Sequence, residues 1–349
     1  MKKVFVVGIV GLPACYGGFE TLVENLVEQS DPAITYTVFC SKSNYTTLLS
    51  DHKGAKLQYL PLKANGAQSV LYDILSLLKT LYQRPDVVLV LGVSGGLFLP
   101  FFKLLSRSKV IVNIDGLEWR RAKWGRLQRA FLKFSERAAV RFSDAVISDN
   151  QAIYEYVLNE YGHASHVIAY GGDHALTKSI SGQGQDFALA LCRIEPENNV
   201  EMILEAFSIL DMPLRFIGNW DNSSFGRQMK AKFGDYPHID LIDPIYAPEQ
   251  LFEFRDQCRV YIHGHSAGGT NPSLVEMMFF AKPIIAYDCD FNRFTTDSKA
   301  RYFDSSVALQ KVIEATLSEP DVLIGKNMQS IAKSRYTWEY VARLYRELY

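Results

Sequence analysis

Gly264-His265-Ser266-Ala267-Gly268-Gly269-Thr270-Asn271-Pro272-Ser273-Leu274-Val275-Glu276 is the stretch on which the reading of this chain turns. The apolar run Val260-Tyr261-Ile262-His263 before it reads as a strand. Asn271 suits a helix N-cap and Pro272 the first helical position, so a strand, a small-residue loop and a helix follow one another. Such a loop exposes backbone N–H groups and the positive end of a helix dipole, which suits a phosphate. Glu276 lies one turn into the helix, and helical side chains lean toward the N-terminus, so its carboxylate can reach the loop. An anion cradle beside an acceptor for hydroxyl groups is what a sugar nucleotide needs. An ordinary strand–helix turn with Glu276 solvated fits the same residues.

Outward from this stretch, apolar β-branched runs alternate with helical patterns from end to end, which predicts parallel sheets with crossover helices. Val4–Ile9, Tyr36–Phe39, Val87–Leu91, Val110–Ile114, Ala145–Ile147 and Val167–Ala169 form a first set of buried strands. Phe187–Leu191, Leu214–Ile217, Ile239–Leu241, Val260–Ile262 and Pro283–Ala286 form a second. With 349 residues, the chain exceeds the usual size of one domain. The expected organisation is α/β with two Rossmann-like domains, residues 1–172 and 173–335, facing each other across a cleft. A last helix over 336–349, with Val341, Leu344, Tyr345 and Leu348 on one face, crosses back to the first domain.

Composition narrows the function. The chain is 48% hydrophobic and 21% charged with a net charge of -1, as expected of a soluble globular protein rather than a dedicated nucleic-acid binder. Five cysteines, odd in number and without metal-type spacing, point to a reducing cytoplasm. The apolar run after Met1-Lys2-Lys3 reads as a first strand rather than a cleaved leader.

At the first strand–helix junction, Gly8-Ile9-Val10-Gly11 runs on to Tyr16-Gly17-Gly18-Phe19-Glu20. The spacing does not fit Gly-x-Gly-x-x-Gly, and Cys40 and Ser41 stand where a dinucleotide site needs an acid, so an NAD site is disfavoured. Gly17 and Gly18, opening a helix, can bring N–H groups to a diphosphate or simply make a tight turn. Arg193 follows the strand Phe187–Leu191 at its C-terminal edge. It can clamp a phosphate there, or pair on the surface with Glu195 or Glu197. Asp115 follows Val110–Ile114, where a carboxylate could take an acceptor proton or stabilise oxocarbenium charge; an Asp-Gly turn is the alternative. Asp149 and Tyr170 also end strands, as ligand contacts or as cap and hinge residues. Asp288-Cys289-Asp290 has the form of a metal-chelating Asp-x-Asp but falls in a loop after Pro283–Ala286, so no metal site is expected.

Tyr16-Gly17-Gly18-Phe19-Glu20-Thr21, Asp115-Gly116-Leu117-Glu118-Trp119, Arg193…Pro196-Glu197-Asn198 and Gly268…Glu276 stand in the order seen in the glycosyltransferase family 4 superfamily. The chain resembles its bacterial polysaccharide rhamnosyltransferase branch over essentially its whole length. The resemblance implies the GT-B fold, a metal-independent retaining reaction with no cofactor, and a nucleotide-sugar donor, dTDP-L-rhamnose. The implied acceptor is a lipid-diphosphate-linked saccharide in capsule or cell-wall synthesis. Arg193 matches the phosphate-binding arginine, Glu276 the ribose-holding carboxylate, and Gly17 and Gly18 the diphosphate and acceptor loop. Asn198, Asp243, Ile245, Gly269, Thr270 and Asn271 complete the implied donor site, with Asp243 and Ile245 beside the base. Two departures stand out: Asn198 replaces a common lysine, and Gly268 replaces a glutamate that usually contacts donor-sugar hydroxyls. The second is compatible with a 6-deoxy sugar. A sugar-nucleotide epimerase of the same architecture and a non-catalytic sugar-nucleotide sensor are the competing functions.

From Trp119 to Arg141, eight basic residues face one acid, Glu136. Trp119, Arg121, Lys123, Trp124 and Arg126 are expected to face an anionic membrane surface, and Arg120 the acceptor or its diphosphate. Leu97, Phe98, Phe101 and Phe102 can add apolar anchoring or belong to the core. No nucleic-acid-binding module is recognisable. The expected location is the inner face of the bacterial cytoplasmic membrane, as a peripheral protein.

Overall fold

The computed structural model describes residues 1–15, 17–120, 124–182, 184–318 and 322–349. The chain divides into two units, Met1–Tyr170 with Trp338–Tyr349, and Gly171–Thr337.

Unit 1 runs β1 (Lys2–Val7), α1 (Gly18–Glu28), β2 (Ile34–Ser41), β3 (Asp51–His52), β4 (Ala55–Leu60), α2 (Ser69–Gln83) and β5 (Val87–Leu91). It continues with α3 (Leu99–Leu105), β6 (Lys109–Asn113), α4 (Arg126–Phe142), β7 (Ala145–Ser148), α5 (Gln151–Tyr161) and β8 (His166–Val167). The eight strands lie in the order β3-β4-β2-β1-β5-β6-β7-β8, parallel except for the β3–β4 hairpin. Central β5 is buried along its whole length, as a parallel strand covered on both faces must be. This is why Val87-Val-Leu-Val-Leu91 carries no polar residue.

Unit 2 runs β9 (Ala188–Leu191), α6 (Val200–Phe207), β10 (Leu214–Ile217), α7 (Ser224–Phe233), β11 (Ile239–Ile242) and α8 (Pro248–Gln257). Then come β12 (Val260–His263), α9 (Pro272–Met278), β13 (Ile284–Tyr287), α10 (Asp290–Thr295), β14 (Arg301–Phe303), α11 (Ser306–Ser318) and α12 (Val322–Arg335). Its six strands are parallel in the order β11-β10-β9-β12-β13-β14. The core gathers around Phe207, Phe216 and Trp220.

The last helix, α13 (Trp338–Leu348), packs into the core of unit 1, with Trp338, Val341, Ala342, Tyr345 and Leu348 buried. Its polar atoms are tied in as well. Asn113 Nδ2 donates to Tyr345 Oη at 2.9 Å, and Lys2 Nζ donates to the Tyr349 carbonyl at 2.6 Å. Tyr36 donates to the Tyr349 hydroxyl at 3.1 Å. Each large side chain so buried contributes about 1.5–3 kcal/mol.

Three strands escape the sequence reading. β4 alternates between buried and more exposed residues near the sheet edge, β3 has two residues, and β14 is a three-residue edge strand opening on an arginine. None makes the continuous apolar run by which buried strands are recognised. β1 ends at Val7 rather than Ile9 because Gly8 turns to φ +97. β8 is two residues long and exposed, where Val167–Ala169 is expected.

Candidate active site

In unit 2, α9 begins as its sequence predicts. Asn271 Oδ1 accepts from the Ser273 N–H at 3.0 Å, and Pro272 is the first helical residue. The loop before it is braced against the turn after β9. Ser266 N and Oγ both donate to the Glu197 carbonyl, at 3.1 and 2.7 Å, and Asn199 Nδ2 donates to the Gly264 carbonyl at 2.8 Å. A Cβ on Gly264 would lie 2.1 Å from the Asn198 carbonyl oxygen, so this close approach needs glycine. Gly268 sits at φ +111, a conformation that a glutamate at this position would adopt only with strain.

Asn198 braces the same region from within. It is buried, its Nδ2 donates to the Arg193 carbonyl at 2.7 Å, and its Oδ1 lies 2.7 Å from His265 Nδ1. The Nδ2 bond closes the turn after β9, and the Oδ1 contact joins that turn to the loop before α9. Arg193 is exposed, with Nη1 3.9 Å from Glu195 Oε1, a loose surface pair that a phosphate could replace. Gly269 and Thr270 are buried in the loop, while Asp243 is exposed and Ile245 half-buried just after β11.

The Glu276 carboxylate is held from two sides. Oε2 bonds Arg255 Nη2, and Oε1 lies 3.3 Å from His174 Nε2. Arg255 is buried on α8, and the Glu276 side chain is 14 % exposed. Burial pushes the Glu276 carboxyl up, but the Arg255 charge and the His174 hydrogen bond outweigh it and hold the group below the usual carboxylate range. His174 and Arg255 are the partners that sequence reasoning missed. They stand far from Glu276 along the chain, in segments without a motif.

In unit 1 the glycine loop is clamped by Glu20. Its Oε1 accepts from the Val10 N–H at 2.7 Å and its Oε2 from the Gly17 N–H at 2.9 Å. The Gly17 N–H is thus held by a carboxylate at the start of α1. Gly18 is the first residue of α1. Glu20 is buried, and burial lifts its carboxyl above the ordinary range against the hydrogen bonds it accepts.

Asp115 follows β6 at φ +60, with its N–H donating to Asn113 Oδ1 at 3.1 Å. Left-handed geometry at a non-glycine residue costs energy and recurs at functional sites. The Asp115 charge adds to the rise at Glu20, and after burial the Asp115 and Asp149 charges both add to the rise at Tyr170. Asp149 is buried, and the helix cap beside it is Asn150, whose Oδ1 accepts from the Ala152 N–H at 3.0 Å.

The basic stretch is rearranged relative to expectation. Trp119 is half-buried. Its ring lies 6.4 Å from that of Tyr156, with Lys133 Nζ 4.6 Å and Arg120 Cζ 5.2 Å from its centroid. Tyr156 and Tyr161 both donate to Glu136 Oε1 at 2.5 Å, below the same lysine. Trp119, Tyr156 and Tyr161 thus form an aromatic cage around Lys133, a cation–π arrangement completed by buried Glu136. Trp124 Nε1 donates to Glu118 Oε1 at 3.1 Å, and Arg126 is exposed at the start of α4. Arg121 and Lys123 lie outside the described residues. Asp288 is engaged by Arg293 in a two-pronged ion pair, at 2.6 and 2.7 Å.

Two parallel-sheet Rossmann-like units of this kind make the GT-B fold. A family model described as a domain of unknown function (DUF1972) matches residues 1–173. No curated protein matches the chain. Among solved structures, sucrose-phosphate synthase from Thermosynechococcus elongatus is similar at TM-score 0.80 and 15% identity, over 100% of this chain and 99% of that one. Anabaena HepE in complex with UDP-glucose gives 0.74 at 15% identity, over 99% and 98%. The catalytic domain of starch synthase IV from Arabidopsis thaliana, bound to ADP and acarbose, gives 0.67 at 11% identity, over 99% and 98%.

Proposed function

We propose that the protein is a retaining glycosyltransferase that moves L-rhamnose from dTDP-L-rhamnose onto a lipid-diphosphate-linked saccharide at the inner face of the cytoplasmic membrane. The observation that carries the reading is Glu276, kept ionised by Arg255 and His174 on the helix that closes the glycine loop. A carboxylate there can accept from ribose hydroxyls while the loop N–H groups of Gly269, Thr270 and Asn271 and the Arg193 guanidinium meet the diphosphate. HepE and starch synthase IV, which share the fold, are solved with UDP-glucose and ADP, which supports a nucleotide-sugar donor. Fixed donors aimed at the departing diphosphate would stabilise its charge as the sugar leaves, without a metal.

Thermal shift with dTDP, UDP and GDP tests the donor. Saturation at about 100 times Kd should stabilise the fold by ~2.7 kcal/mol, with dTDP the most effective of the three. A larger response to UDP or GDP removes rhamnose and leaves the transfer chemistry standing. Activity should survive EDTA, and a requirement for added manganese would refute the metal-free scheme. Incubation with the nucleotide sugar alone should leave the sugar unchanged, whereas an epimerase would convert it.

A further inference from the structure

We infer that the outer faces of α3 and α4 form a docking surface for an anionic lipid bilayer. The two helices pack against each other, with Leu99, Phe102, Leu132 and Ala139 turned inward. Lys103 Nζ fixes the end of α3 by binding Asp144 Oδ2 at 2.6 Å. Outward, α3 presents Phe101, Leu104 and Leu105, spaced so that they share a face. On α4, Leu127, Phe134 and Arg141 recur every seven residues, two helical turns, and so lie on one stripe. The five apolar side chains among these are 62 to 86 % exposed. Single apolar residues on a surface are ordinary, but five on adjoining helices mark an interaction site.

Charge identifies the occupant. Glu136 is the only acid on α3 and α4, and it is fully buried beneath Tyr156 and Tyr161. The exposed charges on α4 are Arg126, Arg129, Arg137 and Arg141, all positive. Apolar side chains set among exposed arginines suit acyl chains beneath anionic headgroups, as on an interfacial amphipathic helix. A nucleic acid would leave the leucines and phenylalanines without a partner. None of the described helices is long and apolar enough to cross a membrane, so the contact is one of a surface, not of a span. Lys133 and Trp119, bound in the aromatic cage, take no part. This moves the membrane contact from the turn around Trp119 to the α3–α4 face. The inference stands on this geometry whether or not the transfer reaction does.

Co-sedimentation of the full chain with vesicles tests it, using phosphatidylcholine alone and phosphatidylcholine mixed with phosphatidylglycerol. The wild type should bind the mixed vesicles and be released by salt. The double variant Arg137→Gln/Arg141→Gln should partition ~30-fold more weakly, at about 1 kcal/mol per basic residue. Leu104→Asp/Leu105→Asp should abolish binding even at low salt. These positions are exposed, so both variants should melt like the wild type and respond normally to dTDP. That control separates loss of the surface from loss of the fold or of the nucleotide site. Wild-type protein that stays in the supernatant with mixed vesicles overturns the proposal, as does undiminished binding by the leucine variant. Binding of single-stranded RNA without vesicle binding would reassign the face to nucleic acid.

Discussion

Asp115→Asn should lower turnover by about 10²- to 10⁴-fold, the range for removal of a general base, while affinity for the nucleotide stays near wild type. Asp115 belongs to unit 1, apart from the loop and carboxylate in unit 2 that are proposed to hold the donor. An interaction that stabilises only the transition state is lost from kcat without being lost from ground-state binding. The left-handed backbone at Asp115 tolerates asparagine as well as aspartate, so the variant should fold and isolate the charge. Arg193→Ala provides the contrast. Its phosphate contact would exist before and during reaction, so nucleotide affinity and turnover should fall together. Calorimetry with dTDP beside a turnover assay separates the two patterns. Near-normal turnover in Asp115→Asn would reduce the residue to a turn former.

Arg255→Met should destabilise the fold by about 3–5 kcal/mol at neutral pH, because it strands the Glu276 carboxylate in a largely buried place. The pH dependence supplies the stricter test. In the wild type the folded-state pKa of Glu276 lies below its ordinary value of 4.5. The stability it contributes is thus present above that value and lost as pH falls through the lower folded one. Without Arg255, burial dominates and raises the folded pKa, so the variant's deficit arises as pH climbs through that raised value. Urea unfolding at neutral pH and again below the carboxylate range should therefore show the deficit shrinking in acid. A deficit of the same size at both would mean that Arg255 acts through packing and not through the Glu276 charge.

Legibility followed the range of the interaction. The start of α9 was readable because capping is settled within three residues, and Asn271 and Pro272 carry the whole signal. The long parallel strands were readable because burial on both faces demands continuous apolar runs. The Arg255–Glu276–His174 group was not, since no local periodicity connects a helix-borne arginine and a loop histidine to a carboxylate on another helix. The same limit explains Trp119. The packing of Tyr156 against the Trp119 ring, over thirty residues on, leaves no local trace in a tryptophan set among arginines. The Asn198–His265 brace is not legible either, because a donor contact and a loop brace ask for the same side chain.

Helix α13 packs with the first unit but is encoded after the second. Recombination that joined one gene's first half to another's second half would therefore carry in a foreign α13. Tyr36 and Asn113 would then meet side chains, and Lys2 a chain end, that did not evolve with them. A working exchange of unit 2 needs two crossovers, one near Gly171 and one near Trp338. Gene segments in this lineage should accordingly be inherited as an insertion within unit 1 rather than as interchangeable halves.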